Sequence, residues 1–287
     1  MSGHLWRGFV ILVTLAGIAC GQHATPTTPT TPANAVTVST GFFTSGGAQL
    51  SYRLDVPPHA APVGAVVFGH GSGLATKDTC RVFGLADGFV ARGYATLCFD
   101  KRGVGQSTGQ YIPAIPQNSA AVFDDLSSDI AAGVEFMRNR PEIDPNRIGL
   151  AGASQAGWIV PLAAQKSNAA FMLLIVGPTV SYGIENFYSS IVEINPNAPV
   201  QAGYDALPSF NGVHGFDPKP VLESLNVPGL WLLGGEDRSI PTPATVAILD
   251  QLIAAGRPYT RVVFPGIGHN LPPSWPDIDQ WLAKIGK

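Results

Sequence analysis

The chain has 287 residues, of which 45% are hydrophobic and 13% are charged, and its formal net charge is -3. This length suffices for one large domain or two small ones. The low charge content and the slightly acidic balance argue against a nucleic-acid partner, which would require a basic patch.

The N-terminal residues 1–20 are typical of a targeting segment. Arg7 precedes an apolar run, FVILVTLAGIA, that is too short for a comfortable transmembrane span. Because Cys20 follows small residues, the segment predicts a bacterial lipoprotein signal that is cut before Cys20, although Gly17 stands where a leucine-like residue is preferred. Ordinary secretion is the alternative, since Gly17-x-Ala19 also suits a signal peptidase. Both interpretations predict an exported protein, either anchored to a membrane through lipidated Cys20 or secreted.

Residues 21–35 are rich in Thr and Pro. This composition favours an extended, polyproline-like chain that buries little surface. Such a linker would hold a folded domain away from an anchoring point. We therefore predict that the folded domain covers residues 36–287.

From this point on, predicted strands alternate with predicted helices. The strands cover residues 35–43, 48–57, 64–71, 94–100, 146–152, 170–177, 229–235 and 259–264, and the helices cover 82–93, 119–140, 154–166, 243–256 and 275–286. Ser119 and Thr242 are the predicted N-caps of two of these helices. The alternation predicts an α/β fold with a mostly parallel sheet covered on both faces, and the first two strands predict an antiparallel edge.

Residues 178–226 break this alternation. The segment is too long for a simple crossover and holds six Tyr and Phe residues among Asn, Pro and Gly. We expect an inserted, partly helical cap over the edge of the sheet.

Two cysteines fall within the predicted domain. In an exported protein, Cys80 and Cys98 would meet an oxidising compartment. The sequence permits a disulfide bond between them, and it equally permits two separate buried thiols.

The candidate chemistry lies at the ends of the predicted strands, where ligand sites form in parallel sheets. Ser154, Asp237 and His269 follow three different strands in that chain order. A serine hydroxyl is a weak nucleophile until a base takes its proton, and an acid must hold that base in one tautomer. His269 is the only histidine after Asp237, so it is the sole candidate base in this order. Asp237 is preferred over Glu236 as the acid because it lies one residue further past the strand.

The stretch GASQAG around Ser154 nearly spells Gly-x-Ser-x-Gly, but Ala156 occupies the second glycine position. We predict a strained strand-to-helix turn, in which Gly152 relieves crowding and the Ala156 methyl is tolerated near the substrate side. The backbone N–H of Gln155, at the start of the helix, is a predicted oxyanion donor. The backbone N–H of Ser72, in the loop after the third strand, is the second one.

The chain resembles the α/β-hydrolase family in five stretches, which occur in the order GHGSG (69–73), FDKRGVGQS (99–107), GASQAG (152–157), GGED (234–237) and GIGH (266–269). The likeness extends over residues 40–287 and is closest to bacterial serine hydrolases of the esterase and serine-aminopeptidase-like kinds. It implies an eight-stranded sheet and no metal or organic cofactor. It also implies a structural role for the Asp100–Gly105 segment, in which Asp100 and Arg102 would pair with each other or with backbone groups. His70 is a further candidate for catalysis, but its place in the predicted oxyanion loop favours a structural role.

Together these features predict a serine hydrolase that cleaves carboxylic esters or related acyl bonds of a small-molecule substrate through an acyl-enzyme. Thioesters and peptides use the same machinery, and Glu185, Glu193 and Asp205 could hold the free amine of a peptide. A non-catalytic, ligand-binding surface lipoprotein is an alternative from another class. A lyase or haloperoxidase on this fold is compatible with the same three residues.

Overall fold

A computed structural model describes residues 35–287. The predicted targeting segment 1–20 and all but the last residue of the predicted linker 21–35 lie outside the described residues. Across the described part of the chain, no helix combines the length and the apolar character that a membrane span requires.

The described residues form one sheet of eight strands, which are β1 Thr37–Ser45, β2 Ala48–Val56, β3 Val63–Gly69, β4 Ala95–Phe99, β5 Ile143–Ala153, β6 Met172–Ile175, β7 Gly229–Gly234 and β8 Tyr259–Phe264. Their spatial order is β1-β2-β4-β3-β5-β6-β7-β8. The β1–β2 and β2–β4 pairs are antiparallel, and every other pair is parallel. The mostly parallel sheet and its antiparallel edge are thereby confirmed.

The helices of the described chain are α1 Leu85–Val90, α2 Ser119–Arg138, α3 Ala156–Ser167, α4 Tyr182–Val192, α5 Val200–Ala206, α6 Lys219–Ser224, α7 Thr242–Ala254 and α8 Trp275–Lys284. Two cores result from the strand alternation, because successive side chains of a strand point to opposite faces. On β3, Ala65 and Val67 join the core under α2, α3, α6 and α7, whereas Val66 and Phe68 join the core under α1 and α8. The continuous apolar runs of the sequence are therefore strands buried on both faces.

Two predicted helix caps are wrong, because the hydroxyl groups make tertiary contacts instead. Ser119 is the first residue of α2, and its Oγ accepts the N–H of Phe216 at 2.8 Å. Thr242 is the first residue of α7, and its Oγ1 donates to the carbonyl of Gly234 at 2.7 Å. Neither contact joins neighbours in sequence, so local pattern alone did not predict them.

The inserted segment, residues 178–226, contains α4, α5, α6 and a short 3-10 helix, Leu207–Ser209. It is held against the rest of the fold by aromatic side chains. Trp158 donates its indole N–H to the carbonyl of Val180 at 2.8 Å, and Tyr182 donates its hydroxyl to the carbonyl of Ala114 at 2.9 Å. The helical character expected of this segment is present.

Cys80 and Cys98 are joined by a disulfide bond, with their Cα atoms 6.1 Å apart. The bond links a 3-10 helix, Thr79–Gly84, to β4. Of the two alternatives that the sequence permits, the structure has the bridge.

Candidate active site

The turn that carries Ser154 has the strained backbone that the sequence predicts. Ser154 follows β5 with a φ of 56°, a left-handed conformation that is uncommon for a residue other than glycine. Gln155 then has helical dihedrals, and α3 begins at Ala156. A conformation of this kind costs about 1–3 kcal/mol and persists where the surrounding structure fixes it. Here the N–H of Ser154 donates to the carbonyl of Ile175 at 3.0 Å.

The methyl group of Ala156 lies beneath this turn. A Cβ placed on Gly152 would come within 2.4 Å of the Ala156 Cβ and 2.9 Å of the carbonyl oxygen of Gly69. Ala156 is fully buried in the core between the sheet and α3. Glycine at 152 is therefore required, as predicted, but the expectation that the Ala156 methyl faces the substrate is wrong. The first turn of α3 directs this position towards the sheet.

The glycine that the sequence displaces by one residue, Gly157, serves packing. A Cβ at this position would lie 2.5 Å from Cδ of Pro178 and 2.7 Å from the carbonyl carbon of Gly177. Gly157 therefore lets the start of α3 approach the chain that follows β6. The turn and this close approach need small residues at different positions, which accounts for the departure from Gly-x-Ser-x-Gly.

The three candidate catalytic side chains form one hydrogen-bonded chain. His269 Nε2 lies 3.1 Å from Ser154 Oγ, and His269 Nδ1 lies 2.9 Å and 3.0 Å from the two carboxylate oxygens of Asp237. Asp237 is fully buried, whereas Glu236 is exposed. The Oδ1 atom of Asp237 also accepts the N–H groups of Ser239 and Ile240, at 2.8 and 2.9 Å. These contacts fix the orientation of the carboxylate, which can hold one tautomer of the imidazole.

Two strand-end turns bring the acid and the imidazole together. A Cβ on Gly234, at the end of β7, would lie 2.5 Å from the carbonyl oxygen of Gly268 and 2.6 Å from that of Ile267. The turn after β8 thus passes directly over a position where no side chain fits. The N–H of Glu236 donates to the Ile267 carbonyl at 2.9 Å and joins the two turns. The small residues in GGED and GIGH therefore permit the approach of His269 to Asp237.

The loop after β3 lies beside the nucleophile. A Cβ on Gly71 would be 3.9 Å from Cβ of Ser154, and Gly71 borders the same cavity as Ser154. Ser72 follows with an exposed side chain. Gln155 has a buried side chain at the start of α3. Gln155 follows Ser154 directly in the chain, and Ser72 follows Gly71, which lies against Ser154. Their roles as oxyanion donors stay predictions.

His70 fixes this loop to the sheet. Its Nε2 lies 2.6 Å from the carbonyl oxygen of Phe99, at the end of β4. Burial, and then the positive charge of Lys101, lower the pKa of His70 to about 4. The ring is therefore neutral at pH 7 and can donate its Nε2–H to that carbonyl. This contact agrees with the structural role that the sequence analysis expects.

A buried lysine that the sequence analysis missed, Lys101, crosses this region. Its Nζ donates to the carbonyls of Gly71 and Gly73, at 2.7 and 3.0 Å, and lies 3.3 Å from Oε1 of Gln155. The available signal was a charged residue directly after a fully apolar strand, where burial would demand several hydrogen-bond acceptors. Those acceptors are distant in sequence, so the pattern around Lys101 did not identify them.

The expected pairing of Asp100 with Arg102 is wrong. Asp100 accepts the backbone N–H groups of Lys77 and Gln106, at 2.7 and 2.8 Å, and forms an ion pair with the Lys77 ammonium at 3.1 Å. Arg102 forms a two-pronged ion pair with Asp129 on α2, at 2.6 and 2.9 Å. The backbone contacts expected for Asp100 are present, but the two side chains reach different elements because the chain turns after β4.

A cavity of about 180 Å³ opens beside Ser154 and His269. Its apolar walls come from β3, α1, the 3-10 helix, the end of β6 and the loop after His269, and they include Phe68, Cys80, Leu85, Ile175, Val176 and Leu271. No described residue of the inserted segment 178–226 borders this cavity. The segment instead contacts the acid, since Tyr188 donates its hydroxyl to the carbonyl of Asp237 at 2.7 Å.

The acidic residues of the inserted segment have separate surroundings. Burial, then Glu193, then Asp237 raise the pKa of Glu185 to about 8. Glu193 accepts a hydrogen bond from the hydroxyl of Ser239 at 2.9 Å. Asp205 accepts a hydrogen bond from the side-chain amide of Gln201 on the same helix, at 2.8 Å. Glu185 is therefore the acidic residue of this segment whose titration is coupled to the candidate site.

Comparison with known proteins gives a family and a fold. Residues 85–285 match the prolyl oligopeptidase family. The quorum-quenching protein AidA of Acinetobacter baumannii is 30% identical over 54% of this chain and 46% of its own length. An uncharacterized protein of Mycobacterium tuberculosis is 30% identical over 63% of this chain and 54% of its own. The chain thus spans about half the length of these curated relatives.

Among solved structures, an esterase from Pyrococcus furiosus superimposes with a TM-score of 0.64 and 16% sequence identity. The match covers 87% of this chain and 91% of the esterase. At this identity the likeness shows the fold, and the fold is that of the α/β-hydrolases.

Proposed function

Because the chain belongs to the prolyl oligopeptidase family, we propose that it is a serine hydrolase that cleaves carboxylic esters or related acyl bonds. The observation that carries the proposal is the unbroken chain of hydrogen bonds from Ser154 Oγ through His269 to buried Asp237. It supplies a nucleophile, a base and an acid that orients the base.

In the first half of the reaction, Ser154 Oγ attacks the carbonyl carbon while His269 Nε2 takes the hydroxyl proton. The carbonyl π electrons move to oxygen, and the N–H groups of Ser72 and Gln155 bind the resulting oxyanion. The intermediate collapses, the bond to the leaving group breaks, and His269 returns the proton to the leaving oxygen. The products of this half are an alcohol and an acyl ester of Ser154. Asp237 stabilises the transient imidazolium.

In the second half, His269 takes a proton from water, and the hydroxide formed attacks the acyl carbon. The bond from that carbon to Ser154 Oγ breaks, and His269 gives the proton back to the serine. A carboxylic acid leaves, and the enzyme is restored. No other reactant is needed.

The cavity supports a small, apolar substrate group. A cavity of about 150 Å³ engineered in another protein binds benzene, and the cavity beside Ser154 has about 180 Å³. Its lining includes no Asp, Glu, Lys or Arg among the described residues. A group of up to about benzene size without charge is therefore favoured over a charged one.

Steady-state hydrolysis of p-nitrophenyl acetate, butyrate, octanoate and a succinate half-ester tests this proposal. We expect the neutral short esters to have the highest kcat/KM and the charged one the lowest. Ser154→Ala should abolish turnover, and Ser190→Ala, an exposed serine on α4, is the matched control that should keep it. Turnover that survives in Ser154→Ala would contradict the assignment of the nucleophile.

A peptidase that removes N-terminal residues is the second candidate, and Glu185 is the observation that favours it. Glu185 is close enough to Asp237 for that charge to raise its pKa, and an ammonium group bound beside Glu185 would favour its ionised form. Aminoacyl p-nitroanilides would test this idea, with Glu185→Gln expected to lower anilide turnover at least tenfold while ester turnover persists. Absence of anilide turnover in the wild type would eliminate the peptidase.

We also propose that the protein is exported and attached to a membrane through lipidated Cys20. The disulfide between Cys80 and Cys98 supports an oxidising compartment. Metabolic labelling with an alkyne fatty acid should mark the processed chain that begins at Cys20, and Cys20→Ala should remove the label. An unlabelled protein released into the medium would favour ordinary secretion instead.

A further inference from the structure

Lys101 lies between the two segments that carry the predicted oxyanion donors. Its side chain is 1% exposed. The neighbouring carboxylate, that of Asp100, is engaged by Lys77. The Lys101 ammonium donates instead to the carbonyls of Gly71 and Gly73 and to the side-chain oxygen of Gln155. An ammonium has three N–H donors and no acceptor, so these three contacts satisfy it completely.

One of these contacts determines the direction of a predicted oxyanion donor. The carbonyl of Gly71 and the N–H of Ser72 belong to the same peptide unit, which is planar and trans, so they point in opposite directions. The bond of 2.7 Å to Lys101 therefore turns the Ser72 N–H away from the ammonium. Because Gly71 lies against Ser154, this peptide unit is beside the nucleophile.

The third contact reaches the other predicted donor. Gln155 is the residue directly before α3, and its buried side chain accepts a hydrogen bond from the same ammonium. We propose that Lys101 is a positioning residue that aligns both oxyanion donors, Ser72 through the Gly71 carbonyl and Gln155 through its side-chain amide. This inference rests on the proposed function, since an oxyanion forms only if the protein performs acyl transfer. The positive charge in this buried region also stabilises the negative charge of the intermediate.

The charge state of Lys101 makes the proposal sensitive to pH. Burial lowers the pKa of its ammonium from the usual 10.5 to about 8. The ammonium is therefore present below this pH and is lost above it, which leaves one of the three acceptors without a donor. The groups that face it are neutral His70, the Tyr111 ring at 5.8 Å and, on its own segment, Asp100 in its ion pair with Lys77.

The test is the Lys101→Met variant, which keeps the length of the side chain and removes its charge and its donors. We expect kcat for p-nitrophenyl butyrate to fall roughly tenfold to hundredfold, with KM changed about twofold or less. This loss of kcat is smaller than the roughly hundredfold to thousandfold loss that is typical when an oxyanion donor itself is removed. Affinity for a trifluoromethyl ketone, which forms an oxyanion on Ser154, should fall by the same factor as kcat. A purely structural role would not couple these two quantities.

Lys77→Met is the matched control, because Lys77 is also a partly buried lysine near this loop. Its ammonium donates hydrogen bonds to a different set of residues, Ser51, Asp100 and Gln106. It should lower the melting temperature and leave kcat within threefold of the wild type. Lys101→Met with wild-type kcat, or with a loss confined to KM, would overturn the proposal.

Two further measurements decide the matter if Lys101→Met does not fold. Wild-type kcat should decline above about pH 8, with a midpoint near the pKa of the Lys101 ammonium. A kcat that stays constant up to about pH 10 would overturn the proposal. Gln155→Leu removes one of the three acceptors and should lower kcat about threefold to tenfold, which is less than the loss that follows removal of a whole donor. An unchanged kcat would again contradict the proposal. Failure here is distinct from failure of the proposed function, in which the wild type itself would not hydrolyse esters.

Discussion

The two sides of Ser154 carry opposite buried charges. On the side of the loop after β3, the Lys101 ammonium is surrounded by neutral carbonyl oxygens. On the side of His269, the buried carboxylate of Asp237 is surrounded by N–H donors, and the hydroxyl of Tyr188 binds its carbonyl. The proposed transition state has negative charge on the first side and an imidazolium on the second. The protein thus places each fixed charge beside the opposite developing charge, which is how preorganised electrostatics lower a barrier.

The two sides also differ in what covers them. The apolar cavity opens on the Lys101 side, where α1 and the disulfide of Cys80 contribute to its walls. The inserted segment 178–226 packs on the Asp237 side. Under the proposed function, the first side would select the substrate, and the contacts of the second side would stabilise the acid.

The largest expected effect comes from removing the negative charge on the acid side. Asp237→Asn should lower kcat about 10⁴-fold, as the equivalent change does in the well-studied serine protease triad, because the amide favours the wrong tautomer of His269. Stopped-flow measurement of p-nitrophenol release would check it. Glu236→Gln is the control, and a comparable loss in that variant would show that Glu236 is the acid.

The second largest expected effect is a loss of stability on the cavity side when the disulfide is removed. Replacing Cys80 and Cys98 by serine opens a link between positions 18 residues apart. For a loop of this size we expect about 3 kcal/mol less stability, chiefly because the unfolded chain gains freedom. Urea unfolding followed by tryptophan fluorescence would measure the change. A double-serine variant as stable as the wild type would refute this expectation.

Tyr188→Phe should have a smaller effect on the acid side. The variant loses one buried hydrogen bond, which contributes about 0.5–1.5 kcal/mol, and leaves the Asp237 carbonyl without that donor. We expect a lower melting temperature and a decline in kcat of a few fold at unchanged KM. Differential scanning calorimetry and ester kinetics would test it. An increase in KM alone would place Tyr188 in the substrate site.

Ala156→Gly should also have a small effect on activity, because its methyl lies beneath the turn between the two sides. We expect kcat within about tenfold of the wild type, a barrier change of about 1.4 kcal/mol or less. Thermal unfolding should show a modest loss of stability, since glycine weakens a helix by about 0.5–1 kcal/mol relative to alanine. A hundredfold loss of kcat would mean that this methyl fixes the geometry of Ser154.

The sequence predicted the features that short-range pattern determines. Buried strands are continuous apolar runs, and parallel strands end at one edge of the sheet. The sequence could therefore predict that Ser154, Asp237 and His269 lie close together. The need for Gly152 followed from the same turn. These predictions required only the direction of each strand and the chain order.

The features that sequence analysis missed depend on side chains that contact other secondary-structure elements. Arg102 reaches Asp129 on α2, and Lys101 reaches both Gly71 and Gln155. The Ala156 methyl was predicted on the wrong side of the turn because six residues do not determine which face of the following helix packs on the sheet. In each case the partner is set by tertiary packing, which a local pattern does not contain.

The central claim is that Ser154 is a nucleophile activated by His269 and Asp237, and covalent labelling by a fluorophosphonate probe tests it most directly. Intact-protein mass spectrometry should show one probe per wild-type chain, with a fragment spectrum that places it on Ser154. Ser154→Ala should gain no mass, and Asp237→Asn should label far more slowly. An unlabelled wild type, or equal labelling of Ser154→Ala, would contradict the account.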